Sequence, residues 1–257
     1  MHVSTAVLEV QDVAVHFGGV MALQGVSLAI QPGEIHGLIG PNGSGKTTLL
    51  NAVSGLVPLT GGQIKLQGER IDRLATHVRV RRGLARTFQS AATFEELDLV
   101  DNVSIGFHKS DRHSFWRASV PGVHERLRMA TIRRAQEYLD SVGLGPMART
   151  IAGSLPYGQQ RMLDVARAQA GEPTLLLLDE PVAGLNIGEM AQTEALIRRS
   201  REHGVTVLLV EHHMRFVMGL CDRITVLDFG LAIASGSASE IQSDPKVIEA
   251  YLGTKHR

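Results

Sequence analysis

The stretch Gly40-Pro41-Asn42-Gly43-Ser44-Gly45-Lys46-Thr47-Thr48 fits the pattern G-x-x-x-x-G-K-[ST] from Gly40 to Thr47. The apolar run Ile35–Ile39 precedes it and apolar residues at helical spacing follow it, so its context is strand, loop and helix. Glycines let the backbone turn so that successive N–H groups converge on an anion, and the helix start adds its positive end. The stretch therefore predicts a phosphate-binding loop in an α/β fold.

Two side chains of this loop have predicted roles. Lys46 would reach the outer phosphates of a nucleotide as a point charge, and the Thr47 hydroxyl would ligate a magnesium ion that bridges them. The alternative is a glycine-rich turn that happens to carry a lysine. The flanking strand and helix favour the nucleotide-binding interpretation.

The composition excludes several classes of protein. With 257 residues and 44% hydrophobic content the chain can form a substantial core, and 26 basic residues balance 26 acidic ones, so no overall basic field favours nucleic acid. The single cysteine, Cys221, excludes an internal disulfide framework and fits a reducing compartment. We expect no secretory signal, and no stretch reaches the roughly 18 apolar residues of a membrane span. If the function involves a membrane, another chain must cross it.

Two segments near the amino end alternate apolar and polar residues, which predicts half-buried antiparallel strands. They are Val7–His16 and Leu23–Ile30, and the turn Phe17-Gly18-Gly19 lies between them. An aromatic ring at this turn could stack on the flat face of a base. Ordinary packing of Phe17 is the rival interpretation.

The middle of the chain is basic and then helical. The arginine run from Arg70 to Arg86 reads by default as a solvated face, with docking onto an acidic partner or nucleic acid as the alternatives. A strand over Leu84–Gln89 follows. Helices predicted over Val100–Phe107 and Glu125–Val142 indicate an inserted helical subdomain.

Two buried strands of the second half end in polar side chains. Leu175–Leu178 is followed by Asp179 and Glu180, and Val205–Val210 is followed by Glu211 and His212. An open α/β sheet places its chemistry at the carboxyl ends of such strands. A nucleotide hydrolase would use Asp179 to hold magnesium, Glu180 to orient or deprotonate the attacking water, and His212 to bond the terminal phosphate. We expect a mostly parallel sheet with an antiparallel edge at the amino end.

Six elements in this order resemble the nucleotide-binding subunit of ABC transporters, and together they cover nearly the whole chain. Four further segments are similar to the LivG type, which serves branched-chain amino acid importers, although importers of urea and other amides use closely related subunits. The six elements are Gly40–Thr48, Gln89, Leu155–Gln160, Leu175–Glu180, Gly184–Asn186 and His212; the further segments are Arg86–Gln89, Leu155–Gln160, Ala183–Asn186 and Val247–Gly253.

The resemblance implies a P-loop NTPase (ABC ATPase) fold with a mostly parallel core sheet, an antiparallel β edge and an inserted helical subdomain. It implies one domain over residues 1–257, with a core of 1–89 and 165–257 and a subdomain over about 90–164. The implied cofactors are ATP and Mg²⁺. Nucleotide-binding residues would be Phe17, Gly40, Pro41, Asn42, Gly43, Ser44, Gly45, Lys46, Thr47, Thr48 and Gln89.

The resemblance also assigns roles to side chains that are otherwise uninformative. Phe17 would stack on adenine, while Gln89 would contact magnesium, as would Thr47 and Asp179, and link the nucleotide to a membrane partner. Glu180, His212 and Lys46 would be the catalytic residues. Two such domains would close head to tail, so that the signature segment of one acts on the ATP of the other. That segment is Leu155, Pro156, Tyr157, Gly158 and Gln159.

The implied partners are two membrane-spanning permease subunits, a second ABC ATPase and, indirectly, an extracytoplasmic solute-binding protein, with the chain peripheral on the cytoplasmic face of the cell membrane.

Two departures from the family pattern concern the second ATPase. Pro156 stands where the signature usually has serine, and Asn186 stands where aspartate is usual. We therefore expect a heterodimer rather than two equal sites in a homodimer.

Two other classes of function compete with transport. A soluble ABC ATPase acting on nucleic acid or ribosomes would use the arginine run, but such proteins usually carry two ATPase modules or a long coiled-coil insertion, and this chain has neither. A regulatory module that binds nucleotide without hydrolysis would not need both Glu180 and His212. No nucleic-acid partner is expected.

Overall fold

The computed structural model describes residues 6–87, 93–107 and 123–252. These residues form two compact units. The first is drawn from Met1–Arg86, Thr174–Glu180 and Ile197–Arg257, and the second from Thr87–Pro173 and Pro181–Leu196. The second unit extends past the expected subdomain of about 90–164 because the helix Tyr157–Ala170 packs as a whole against the other helices of that unit.

All strands of the described residues belong to the first unit, and they form two sheets. Four strands make an antiparallel sheet in the order β2-β1-β4-β5, and six make a second sheet in the order β10-β9-β3-β8-β7-β6. The strands are β1 (Leu8–Phe17), β2 (Val20–Ile30), β3 (Ile35–Ile39), β4 (Gly61–Leu66), β5 (Glu69–Arg70), β6 (Leu84–Arg86), β7 (Leu175–Asp179), β8 (Thr206–Val210), β9 (Arg223–Asp228) and β10 (Leu231–Gly236).

The six-stranded sheet is parallel from β9 to β6, and β10 is its antiparallel edge. The antiparallel edge was expected at the amino end, but β1 and β2 lie in the other sheet, because β1 pairs with β2 on one side and β4 on the other. The burial patterns match this division. Every residue of β3, β7 and β8 is buried, as in strands covered on both faces, whereas β1 alternates.

Helices divide between the two units. In the first unit, α1 contributes Leu49, Leu50 and Val53 to a core shared with Leu8 and Leu38, so this helix packs with both sheets. The second unit is helical, with α3, α4 and α5 in mutual contact. The helices are α1 (Lys46–Ser54), α2 (Thr76–Arg81), α3 (Leu99–Ser104), α4 (Val123–Ser141), α5 (Tyr157–Ala170), α6 (Ile187–Glu202), α7 (Met214–Leu220), α8 (Ala238–Ser243) and α9 (Pro245–Leu252), with 3₁₀ turns at Ile105–Phe107, Gly145–Met147 and Ala152–Ser154.

No helix in the described parts of the chain combines the length and the apolar character that crossing a bilayer requires. The longest apolar segments are the strands of the central sheet, which are buried within the first unit.

The arginine run does not form a uniformly solvated face. Arg79, on the unpredicted helix α2, is 3% exposed. Its guanidinium donates to the carbonyls of Ala52 (2.6 Å) and Val53 (2.8 Å) at the end of α1, and to those of Asp72 and Leu74 (both 2.9 Å). The last carbonyls of a helix have no partner within the helix, so Arg79 caps α1. The solvated-face interpretation is therefore wrong for Arg79.

We expect Arg79→Lys to lower the free energy of unfolding by about 2–4 kcal/mol, because one ammonium cannot satisfy four carbonyls and the buried acceptors left over are costly. Arg81→Lys is the matched control, since Arg81 lies on the same helix and is exposed. Urea unfolding of both variants measures the difference. Equal midpoints for the two variants would contradict the capping role.

Candidate nucleotide-binding site

The register of the parallel strands brings three chain segments to one edge of the sheet. Leu38 of β3 pairs with Val210 of β8, and Val210 also pairs with Asp179 of β7. The phosphate-binding loop follows β3, Glu180 follows β7, and Glu211 and His212 follow β8. The carboxyl ends of parallel strands meet at this edge, as expected for an α/β site.

Two glycines of the loop are required by space and by backbone conformation. Gly40 has φ +148°, and a Cβ there would lie 2.0 Å from the carbonyl oxygen of Leu227. Gly45 has φ +106° and precedes α1, and a Cβ there would lie 2.7 Å from the carbonyl oxygen of Ala22. No side chain fits at either position, so the loop backbone packs tightly against β2 and β9 and stays open to a ligand.

Lys46 is 5% exposed and is held by its own loop. Its ammonium donates to the carbonyls of Gly40 and Pro41, both at 2.8 Å, and lies 3.4 Å from the Ser44 hydroxyl. Burial lowers the pKa of Lys46, and the charges of Glu180 and Asp179 act in the opposite direction. The third ammonium donor is thus weakly engaged, in a position suited to an anion.

The other loop residues differ in exposure. Ser44 is 2% exposed, and its carbonyl accepts from Gly230 N–H at 2.9 Å. Asn42, Gly43 and Thr47 are exposed, and Thr48 is half-buried. The Thr47 hydroxyl at the exposed start of α1 is therefore free to meet a ligand.

Asp179 is buried and paired. It is 4% exposed, and its Oδ2 accepts from Arg86 Nη2 at 2.9 Å. Arg86 also donates to Asn51 and Ser54 of α1. The ion pair with Arg86 offsets the cost of burying this carboxylate. The arginine keeps Asp179 suited to a hard cation.

Glu180 and His212 are in direct contact, with Glu180 Oε1 2.6 Å from His212 Nε2. Glu180 has φ +49°, which is uncommon for a residue with a side chain, and its N–H donates to the Val210 carbonyl at 2.9 Å. Strained backbone of this kind concentrates at functional sites. Glu211 is 3% exposed and accepts from the N–H groups of His212 (2.7 Å) and His213 (3.0 Å), which fixes the turn that carries the histidine.

Two other residues were predicted to contact the nucleotide or its metal. Phe17, the last residue of β1, is 51% exposed, so its ring is available for stacking. Gln89 falls outside the described residues, and its role stays a prediction.

The signature segment lies in the second unit. Pro156 precedes α5 as its N-cap residue, and its carbonyl accepts from Gln159 and Gln160 N–H. Leu155 is buried and Tyr157 is half-exposed. A Cβ on the buried Gly158 would lie 2.5 Å from Glu189 Oε1.

Asn186 and Glu189 cap α6 reciprocally. Asn186 Oδ1 accepts from Glu189 N–H at 3.0 Å, and Glu189 Oε2 accepts from Asn186 N–H at 2.9 Å. This is the arrangement of a capping box, and the spacing Asn-x-x-Glu before a helix is a sequence signal for it. Asn186 therefore has a local structural role that the sequence analysis missed.

Arg86 was missed as a site residue, because the sequence analysis read it only as part of the basic run, of a strand and of the resemblance segment Arg86–Gln89. Its contacts leave no local sequence signal, because its partners Asn51 and Asp179 are remote in the chain. Tyr251 of α9 was read only as part of the carboxyl-terminal resemblance, and burial raises the pKa of its phenol to about 12.

The side chains present fit magnesium. The candidate donors are the Thr47 hydroxyl, the Asp179 carboxylate and the Gln89 amide, all oxygen ligands. Within the described part of the chain no cluster of three or more His, Cys, Asp or Glu side chains could hold a metal by itself. Mg²⁺ typically binds in this way, through one or two protein oxygens with the remaining ligands from phosphate and water.

The loop, the strand-end carboxylates and the parallel sheet define a P-loop nucleotide-binding protein. The family model for the ABC transporter matches residues 23–183, and that for the branched-chain amino acid ATP-binding cassette transporter matches residues 233–257. The chain belongs to the ABC transporter ATP-binding family.

Proteins of two bacteria are similar over nearly the full length. The chain is 41% identical to the high-affinity branched-chain amino acid transport ATP-binding protein BraF of Pseudomonas aeruginosa and 38% identical to LivG of Escherichia coli, each over 97% of this chain and 99% of the relative. A solved nucleotide-free ATP-binding cassette from an ABC transporter superimposes with a TM-score of 0.84 at 28% identity, covering 97% of this chain and 100% of the other. The family resemblance and the fold class read from the sequence are confirmed.

We expect Gly158→Ala and Glu189→Ala to be coupled. With Glu189 present, the methyl group introduced by Gly158→Ala would displace the Glu189 carboxylate. The helix cap that this carboxylate provides, worth about 1 kcal/mol, would then be lost. In the Glu189→Ala background the carboxylate is absent, so alanine in a helical turn should instead gain up to about 1 kcal/mol. A double-mutant cycle by urea unfolding should show the coupling; strictly additive effects would contradict the contact.

Proposed function

We propose that this chain is the ATP-hydrolysing subunit of an importer for branched-chain amino acids. The observation that carries the hydrolytic part is the contact of Glu180 with His212 at the sheet edge where Lys46 and Asp179 also lie. The importer and its substrate class are supported by BraF and LivG, whose names describe branched-chain amino acid transport.

The loop would bind the phosphates of ATP. Backbone N–H groups at the start of α1 point at an anion there, and Lys46 adds a positive charge whose position two carbonyls already fix. Exposed Phe17 would stack on the adenine ring.

Hydrolysis would depend on Glu180. Its carboxylate would orient the attacking water and accept a proton from it. His212, which contacts that carboxylate through Nε2, would hydrogen-bond the terminal phosphate once the nucleotide is bound. Thr47, Asp179 and Gln89 would hold magnesium, which when bound neutralises phosphate charge. Lys46 would stabilise the charge that develops on the transferred phosphate.

Coupling to transport requires other chains. Two membrane-spanning permease subunits would carry the solute, with an extracytoplasmic solute-binding protein acting on them from the other side and this chain peripheral at the cytoplasmic face. A second ATPase would close on this one head to tail, so that Gly158 of one chain meets the nucleotide of the other. Closure on ATP and opening after hydrolysis would drive the permeases by differential binding.

The second ATPase is proposed to be a related chain rather than a copy of this one. Pro156 supplies no hydroxyl to a nucleotide held by the partner, and Asn186 supplies no charge. A site formed by Pro156 and Asn186 of this chain and the phosphate loop of the partner would therefore be weakened. A related chain with serine and aspartate at these positions would complete the other site, at the phosphate loop of this chain.

An importer of urea or another amide, the alternative raised by the sequence, is not favoured by BraF and LivG, whose names describe branched-chain amino acid transport. Action on nucleic acid is less favoured, since Arg79 and Arg86 of the basic run are engaged within the protein. Those contacts remove two cations from any phosphate-binding surface.

We expect Glu180→Gln to lower the ATP turnover rate by about 10²–10⁴-fold, because an amide cannot accept the proton of the attacking water. ATP affinity should remain, since Glu180 does not form the phosphate cradle. Phosphate release by the reconstituted complex and ATP titration of the purified chain measure the two effects.

Glu202→Gln is the matched control, because Glu202 is an exposed glutamate at the end of α6. Its turnover should equal that of the wild type. Turnover of Glu180→Gln at the wild-type rate would contradict the proposed role of Glu180.

Gentle extraction of the tagged chain from its native membranes should copurify two multispanning proteins and one different ABC ATPase. A radiolabelled leucine uptake assay with the reconstituted complex would then test the substrate class, with urea as the competing solute. Soluble partners or RNA alone would contradict transport. Strong ATP-dependent homodimerisation with full-rate hydrolysis by the isolated chain would contradict the heterodimer.

A further inference from the structure

Arg86 joins three elements of the first unit. It is the last residue of β6 and its side chain is 6% exposed. Nη1 donates to Asn51 Oδ1 and Ser54 Oγ on α1, each at 2.8 Å, and Nη2 donates to Asp179 Oδ2 at 2.9 Å. One guanidinium therefore links the helix that begins in the phosphate loop to the predicted metal carboxylate.

The pairing leaves one oxygen of Asp179 for another ligand. Oδ2 is taken by Arg86, whereas Oδ1 accepts no hydrogen bond from the residues that the structure describes. Because the planar guanidinium is fixed at Nη1 by two acceptors on α1, its hydrogen bond from Nη2 anchors Oδ2 and restricts the rotation of the carboxylate. The range of positions open to Oδ1 is therefore narrowed before any ligand arrives.

A surface arginine of the same run makes a useful contrast. Arg82 pairs with Glu69 in an exposed ion pair, in which both side chains keep access to water. Such pairs fix little, because both side chains remain mobile and screened by solvent. Burial and the three acceptors distinguish Arg86 from it.

We propose that Arg86 is a positioning residue for the metal carboxylate: it holds Asp179 so that Oδ1 is presented to magnesium. The inference rests on the proposed ATPase function, and it assigns to Arg86 a task that neither Lys46 nor Thr47 performs. Partners that orient a metal ligand typically change metal affinity about 10–100-fold when they are removed.

The test compares the affinity for ATP in the presence of Mg²⁺ with the affinity for ATP in its absence. In the Glu180→Gln background, which prevents turnover, isothermal titration with ATP is done once with Mg²⁺ and once with EDTA. Arg86→Lys keeps the positive charge beside Asp179 but loses the fork; Arg86→Gln removes the charge as well. Both should lose about 10-fold or more of the Mg²⁺-dependent gain in ATP affinity, while affinity in EDTA stays the same.

Two control variants accompany these substitutions. Arg82→Lys should leave both titrations at the reference values, because its ion pair is exposed and is made with Glu69 rather than with Asp179. Asn51→Ala removes one anchor of the guanidinium and leaves the pair with Asp179, so its Mg²⁺-dependent loss should be smaller than that of Arg86→Gln. Thermal unfolding confirms that each variant is folded, and Arg86→Lys preserves charge balance in the core should Arg86→Gln fail to fold.

Each outcome decides something. A reference protein whose ATP affinity does not respond to Mg²⁺ would overturn the proposed function and this inference together. A normal Mg²⁺ response in the reference that persists unchanged in Arg86→Lys would overturn this inference alone. An equal loss of affinity in Mg²⁺ and in EDTA would show that Arg86 only supports the loop, which also overturns it.

Discussion

The parallel register of β3, β7 and β8 is the constraint on which the site depends. Leu38, Asp179 and Val210 are paired in one row across the three strands, so the residues that follow them must lie side by side. All three strands are buried throughout, and a shift of register would move apolar side chains out of the core. The energy of the core thus fixes the relative positions of the phosphate loop, Glu180 and His212, and the local contacts of Glu180 and Glu211 add to it.

Charge at this edge is balanced within the protein. Arg86 is paired with the buried Asp179, and the lowered pKa of Lys46 reflects burial that the two neighbouring carboxylates only partly offset. A nucleotide with its metal would bring anionic phosphates to Lys46 and a cation to Asp179, so each side chain would gain a partner of opposite charge. A phosphate without a cation would supply a partner for Lys46 only.

The sequence predicted the functions that reside in adjacent residues, and it did not predict the contacts between residues that are remote in the chain. The loop Gly40–Thr48 and the pair Asp179 and Glu180 could be found because each function resides in adjacent residues, and the rule for strand ends then brought them together. Arg79 and Arg86 looked like surface charges, since their acceptors are separated from them in the chain by up to 93 residues. The separate antiparallel sheet was missed for the same reason: alternation predicts a strand but not its neighbour. Asn186 is different, because its spacing to Glu189 is a capping signal that could have been recognised.

Capping alone does not explain why residue 186 is asparagine. An aspartate would accept the same hydrogen bond from Glu189 N–H, so either residue could begin α6. An aspartate would, however, place a second carboxylate beside that of Glu189, whose Oε2 already accepts from the N–H of Asn186. The amide avoids this repulsion, and the Glu189 carboxylate lies against Gly158 of the signature segment. Any partner that contacts this segment must therefore accommodate a carboxylate beside the start of α5.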